Sequence, residues 1–255
     1  MRFIKLLIEY NGSRYQGWQS QKTGRTLQDV ICTTIASITG EDIRLTGASR
    51  TDAGVHALGQ VAAFSTESGL LPETIQRALN AKLPSDIRIR SAEETNQEFH
   101  PRYDAIRKSY FYLISTSRVR SAFLHPYLWY IAADLDLASM RAAAASLLGE
   151  HDFSAFRGSG CGAKTTVRTV SYLDISRTGE ISFMTASFPG DFIKIRIEAN
   201  AFLRHMVRNI VGTLVDVGRG KTSPGEFDRI LVSCDRTQAG PTAPPQGLFL
   251  KQLIY

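Results

Sequence analysis

The order of patterns in residues 2–90 leaves few folds open. Residues 2–10 set charges into an apolar run and read as a strand, and Asn11-Gly12-Ser13 ends the run. Thr26, with Asp29 three residues on, predicts a helix start. Leu27, Val30, Ile31, Ile35 and Ile38 form that helix's apolar face, and Gly40 its end. Residues 43–46 and 60–65 read as two further strands. Pro72 then opens a helix carrying Ile75, Leu79 and Leu83, and 87–90 is a fourth strand. Strand, helix, strand, strand, helix, strand is the split βαβ order of a ferredoxin-like unit.

Between the two middle strands lies Gly47-Ala48-Ser49-Arg50-Thr51-Asp52-Ala53-Gly54-Val55-His56-Ala57. Arg50 and Asp52 are two apart, so in extended backbone they point to one side. A guanidinium there favours the ionised carboxylate and lowers its pKa. An ionised, held Asp52 can serve as nucleophile, base or metal ligand. Gly54 allows positive φ or close approach of a ligand. Taken alone, an Asp-x-Gly loop reads first as a turn with a surface ion pair.

The rest of the chain divides the same way. Arg14-Tyr15-Gln16-Gly17-Trp18-Gln19 mixes cation, aromatics and amides, which suits either base stacking or a packed surface loop. Residues 99–105 form a crossover between halves 1–104 and 105–255. In the strand at 105–114, Tyr110 and Tyr112 share a face. Asp136 caps an alanine-rich helix ending at Gly149, and strands follow at 167–175, 181–186 and 192–199. Asn200 is the expected cap of a helix over 201–212. Its apolar side is Phe202, Leu203, Met206, Val207, Ile210, Val211 and Leu214, and its polar side Arg204, His205, Arg208 and Asn209. Arg204 and Arg208, one turn apart near that helix's start, would attract an anion or form a solvated face. Gly220-Lys221-Thr222 is no phosphate loop, because Val215 stands where its first glycine belongs.

Composition narrows the function. With 43% hydrophobic and 21% charged residues the chain is an ordinary globular one, and no apolar run reaches the ~20 residues of a membrane span. Residues 1–105 hold twelve basic and twelve acidic side chains, so the whole net charge of +6 belongs to the remainder. A one-sided basic surface suits a polyanion such as RNA. Cys32, Cys161 and Cys234 form no CxxC pair, which points to a reduced, cytoplasmic protein without disulfide framework or zinc site. A metal-dependent hydrolase using Asp52 and His56 would need further carboxylates at ligand spacing, and the sequence offers none.

The 47–57 string closely resembles the signature of the tRNA pseudouridine synthase A family. Tyr15-Gln16-Gly17-Trp18-Gln19 is similar to that family's Y-x-G-W-Q loop, and Lys108-Ser109-Tyr110-Phe111-Tyr112 to its K-x-Y-x-Y strand. His151-Asp152-Phe153 begins its H-D-F-x-x-F segment. Residues 200–208 resemble N-x-F-L-x-H-M-V-R, and 243–250 the A-P-x-x-G-L-x-L ending. The resemblance implies an α+β fold of two ferredoxin-like halves with antiparallel sheets side by side. It implies a homodimer acting on uridines 38–40 of the tRNA anticodon stem-loop, with no metal or cofactor. Asp52 would be the nucleophile, Arg208 its ion-pair partner and Tyr110 the ring stacked on the target base. Arg50, His56, Leu248, Arg14 and Trp18 would contact substrate; Arg204 falls on a variable slot and receives no role.

Overall fold

A computed structural model describes residues 1–183 and 185–255, with Phe183 described by its backbone. Two compact units emerge: Met1–Lys108 with Phe249–Tyr255, and Ser109–Leu248. The fold is mixed α+β, with five α-helices among the described residues.

The first unit follows the expected order: β1 (Arg2–Tyr10), α1 (Leu27–Thr39), β2 (Thr46–Gly47), β3 (His56–Thr66), α2 (Pro72–Lys82) and β4 (Ile87–Thr95). Strand β1 is central. It pairs antiparallel with β3 from Arg2↔Thr66 to Tyr10↔Ala57, and with β4 from Phe3↔Thr95 to Tyr10↔Ile87. With β2 antiparallel on β3, the strands lie in the order β4-β1-β3-β2 that the split βαβ pattern requires. Alternation in β1 buries Ile4, Leu6, Ile8 and Tyr10. Helix α1 has Thr26 as N-cap, accepting from Asp29 N, and ends at Gly40 with φ 76°. Its buried side is Leu27, Ile31 and Ile35, each stabilising by about 1.5–3 kcal/mol.

The second unit contains β5 (Arg107–Ser115), β6 (Trp129–Tyr130), α3 (Leu137–Ala145), β7 (Gly149–Asp152), β8 (Val167–Phe183), β9 (Ala186–Ala199), α4 (Met206–Gly218) and α5 (Pro224–Ser233). Its strands run β5-β9-β8-β7, with β6 parallel to β5 at Ile114↔Trp129. Here local pattern and structure part in three places. The expected strands at 167–175, 181–186 and 192–199 are two long strands, β8 and β9, paired from Val170↔Ala199 to Phe183↔Ala186. The polar, glycine-bearing stretch that reads as a break is a bulge between Thr178 and Glu180. Met184, within the expected 181–186 strand, lies outside the described residues.

Helix α3 stops at Ala145, not Gly149: Ser146, Leu147 and Leu148 make tightening turns back to Ala143, Ala144 and Ala145, and Gly149 at φ 97° opens β7. Helix α4 starts at Met206, not 201. His205 sits in the left-handed region at φ 60°, which interrupts the helix before it begins. Asn200 caps no helix; its Oδ1 accepts from Thr169 N at 3.1 Å and Ala201 N at 2.8 Å. Arg204 therefore shares no helical face with Arg208, and its guanidinium donates to Ser159 O at 3.1 Å. Asn209, expected on a polar face, is fully buried.

Finally β10 (Leu248–Ile254) returns to the first unit and lies parallel to β3 at Phe249↔His56 and Leu250↔Ala57. No helix among the described residues is long and apolar enough to cross a membrane.

Candidate active site

In the first unit, the loop between β2 and β3 carries Asp52, and its backbone is clamped almost residue by residue. Gly47 lies so close over the Trp18 indole that a side chain would clash. Ala48 O accepts from Lys108 Nζ at 2.6 Å. Gln60 brackets Ser49, its amide donating to Ser49 O at 2.6 Å while its oxygen accepts from Ser49 N at 3.2 Å. Thr51 O accepts from Trp18 N at 3.0 Å, and its hydroxyl bonds the Tyr10 hydroxyl at 2.7 Å. Asp52 O closes a turn by accepting from Val55 N at 3.1 Å, and Gly54 takes φ 78° to permit it.

The 15–19 loop passes beneath this turn. Gly17, at φ 90°, would place a Cβ 2.7 Å from Thr51 O and 3.1 Å from Ala53 N. Only glycine allows that approach. Gly12 donates to His56 Nδ1 at 3.2 Å, and His56 stacks on Phe249 with ring centroids 4.7 Å apart. Tyr15 anchors the same loop by donating to Asp86 at 2.6 Å. Its own burial, then that carboxylate, push its pKa up to about 12.

The predicted contact residues of this unit fall into two sets. Asp52 is half-buried and Arg50 exposed. Trp18 and His56 are each 1% exposed, so both stand beneath the loop rather than on its surface. Arg14 is exposed and paired with Asp86 at 3.1 Å.

In the second unit, Tyr110 is buried on β5 with its ring edge-on to Phe202 at 5.1 Å. Arg208 stands on the first turn of α4, where its Nε donates to Ala243 O at 2.7 Å and its own carbonyl accepts from Ala243 N. The 240–243 segment reaches it because Gly212 leaves room for Pro241 O against the helix. Asn209 secures the far side: it donates to Phe156 O at 2.8 Å and accepts from Thr242 at 2.6 Å and Arg236 at 3.1 Å. Leu248, 5% exposed, follows the same segment at the start of β10.

One residue inside a recognised motif received no role from the sequence: the lysine that opens the K-x-Y-x-Y strand. Lys108 is 7% exposed, and burial, helped by Arg102, draws its ammonium pKa down to about 8. It was findable: period two puts Lys108 in phase with Tyr110 and Tyr112, an interior place for a charge. Its partner Ala48, sixty residues earlier, carries no such signal. Among the described residues no cluster of three His, Cys, Asp or Glu could hold a metal ion.

A carboxylate on a braced turn is the kind of group that an enzyme of nucleophilic or acid–base type requires. The comparisons name its kind. The family described as tRNA pseudouridine synthase matches residues 6–104 and 143–255. The tRNA pseudouridine synthase A of Acetivibrio thermocellus is 47% identical over the full length of both chains. That of Geobacter sp. (strain M21) is 44% identical over 100% of this chain and 99% of its own. Among solved structures, a chain of the archaeal box H/ACA sRNP Nop10-Cbf5 complex is similar over 84% of this chain and 43% of its own, at 14% identity and a TM-score of 0.35. The chain belongs to the tRNA pseudouridine synthase family, enzymes that isomerise uridine in tRNA.

Proposed function

We propose that this protein converts uridine to pseudouridine at positions 38–40 of the tRNA anticodon stem-loop, with Asp52 as nucleophile. The observation that carries the reading is the clamped turn, which fixes the backbone on both sides of a half-buried carboxylate. Isomerisation breaks the N1–C1′ bond, turns the uracil and rejoins it through C5. Asp52 can start it by attacking C1′ of the sugar or by adding to C6 of the ring, and either needs the ionised carboxylate. The family resemblance supports Arg208 as its ion-pair partner, a guanidinium oriented by its Nε bond to Ala243 O. The target base leaves its stack to be reached, and Tyr110 stacks against it.

Arg50, exposed beside Asp52, meets the flipped nucleotide's phosphates, Arg14 meets the RNA backbone, and Leu248 lines the uracil. His56 and Trp18 act through the loop, as their burial beneath it indicates. The family resemblance supports a cytoplasmic homodimer with one tRNA reaching across both subunits, working without metal or cofactor.

The test uses unmodified tRNA carrying uridines at 38–40, incubated with the protein in chelator. Carbodiimide labelling and primer extension then map pseudouridine. Stops at those uridines with wild type, and none with Asp52→Ala that still binds tRNA, are expected. Substantial turnover by Asp52→Ala would remove Asp52 as nucleophile. Tight binding by wild type without stops would remove the substrate assignment.

A further inference from the structure

The second unit holds a cavity of about 270 Å³ outside the residues used above, with walls that include Ser117, Arg120, His125, Trp129, Tyr130 and Gln246. The Arg120 guanidinium lies 4.4 Å over the Tyr130 ring, whose hydroxyl donates to Arg118 O at 3.1 Å. Trp129 stands edge-on to Tyr112, 6.3 Å away, and Tyr112 is tied to Pro244 O at 2.7 Å. Beneath them Leu124, Leu128 and Phe192 form a small buried core that fixes the floor. The wall is close-fitting: at Gly190 a Cβ would lie 2.7 Å from Ser117 Oγ and 2.6 Å from Phe192.

Charge decides what the cavity can take. Its lining, among the described residues, includes an arginine and a histidine but no carboxylate. The neighbouring Asp191 is already engaged, accepting from Thr116 at 2.6 Å and paired with Arg177 at 2.9 Å. A cation, two aromatic rings and several hydroxyls form the set that receives a phosphate and a planar base together. The volume lies just under the ~300 Å³ at which pockets for free small ligands begin. Arg120 and His125 are also exposed, so a lone nucleotide would gain little from them. A nucleotide delivered by a polymer bound elsewhere needs no more. Ser115, also on the wall, is five residues along β5 from Tyr110, roughly 17 Å of strand.

We propose that this cavity is a second RNA subsite, which holds one nucleotide of the tRNA away from the target uridine. Its base lies against Trp129 and Tyr130, and its phosphate on Arg120 and the serine hydroxyls. The proposal rests on the tRNA reading above and adds a place where affinity, not chemistry, is determined.

The experiment compares wild type, Arg120→Gln and the exposed neighbour Arg118→Gln by tRNA binding and steady-state turnover. Arg120→Gln is expected to raise Kd and KM for tRNA about tenfold, the effect of one charge-assisted hydrogen bond to phosphate. Its kcat should stay within twofold of wild type, and its salt slope should fall by about one. Arg118→Gln should leave all of these unchanged. Wild type bound to 4-thiouridine-substituted tRNA should crosslink within residues 116–131. Equal losses in both variants would mean a general basic surface and overturn the subsite, as would an unmoved KM in Arg120→Gln. Quenching of Trp129 fluorescence by free uridine monophosphate, with tRNA affinity untouched by Arg120→Gln, would overturn the tRNA assignment in favour of a small-nucleotide site. Failure of the parent reading looks different: wild type would then make no pseudouridine at 38–40, whatever Arg120→Gln does to binding.

Discussion

Replacing Lys108 by methionine should alter how the protein's stability depends on pH, by an amount the structure sets. The folded protein holds this ammonium at a pKa of about 8, whereas an unfolded lysine titrates near 10.5. Below pH 8 both states carry the proton, and the folded state bears the full cost of burying the charge. Between pH 8 and 10.5 the unfolded chain keeps the proton while the folded one releases it, so stability rises with pH. From pH 7 to 9.5 this one group contributes a gain of about 2 kcal/mol. The Ala48 carbonyl favours the ammonium and opposes the shift, which makes that figure an upper bound. Lys108→Met keeps the bulk of the stem and removes the titration. Urea unfolding of both proteins at pH 7 and 9.5 isolates the effect, because the tyrosines titrate in both and cancel. Wild type should gain up to about 2 kcal/mol more than the variant across that interval. Equal pH dependence in the two proteins would refute the buried ammonium, and with it the account of how the Ala48 carbonyl is held.

Two substitutions probe the rest of the site. Gly17→Ala forces a Cβ onto Thr51 O at a left-handed φ, so it should destabilise by about 1–3 kcal/mol and lower kcat, while Gly69→Ala, with nothing within 4 Å, should match wild type in melting and turnover. Arg208→Lys has one nitrogen to serve both Ala243 O and a carboxylate, so kcat should fall at least about tenfold with tRNA affinity retained. A Lys variant within twofold of wild type in single-turnover assays would remove the two-pronged contact.

Much of the first unit was legible because its signals are local. Thr26 and Gly40 bound α1 through contacts within a few residues, and the alternation from Ile4 to Tyr10 needs no distant partner to be seen. The errors arose where a local signal had two physical outcomes. A glycine among polar residues can turn a strand back or bulge it, and the long pairing of β8 with β9 decides for the bulge. Nothing near His205 reveals its left-handed backbone; its ring packs against Gly158, forty-seven residues earlier, whose amide is tied to Arg204 O at 2.7 Å. Trp18 shows the same limit in the site. An aromatic in a polar loop suits RNA equally well until Gly47 is found lying on its indole. The chemistry-bearing types were visible; what braces them was not, because Lys108, Gln60 and Tyr10 grip the Asp52 loop from 60, 11 and 41 residues away.

The return of β10 to the first unit has a consequence in time. During synthesis roughly 140 residues separate Lys108 from Phe249, and at roughly 5–20 residues per second their translation occupies something between 7 and 30 seconds. Throughout that interval His56 has no Phe249 to stack on and β3 no parallel neighbour at its start. A nascent chain surrounded by tRNA on the ribosome thus carries Asp52 on a loop whose base is unfinished. The unit translated first lacks one of its own strands until residues 249–255 emerge.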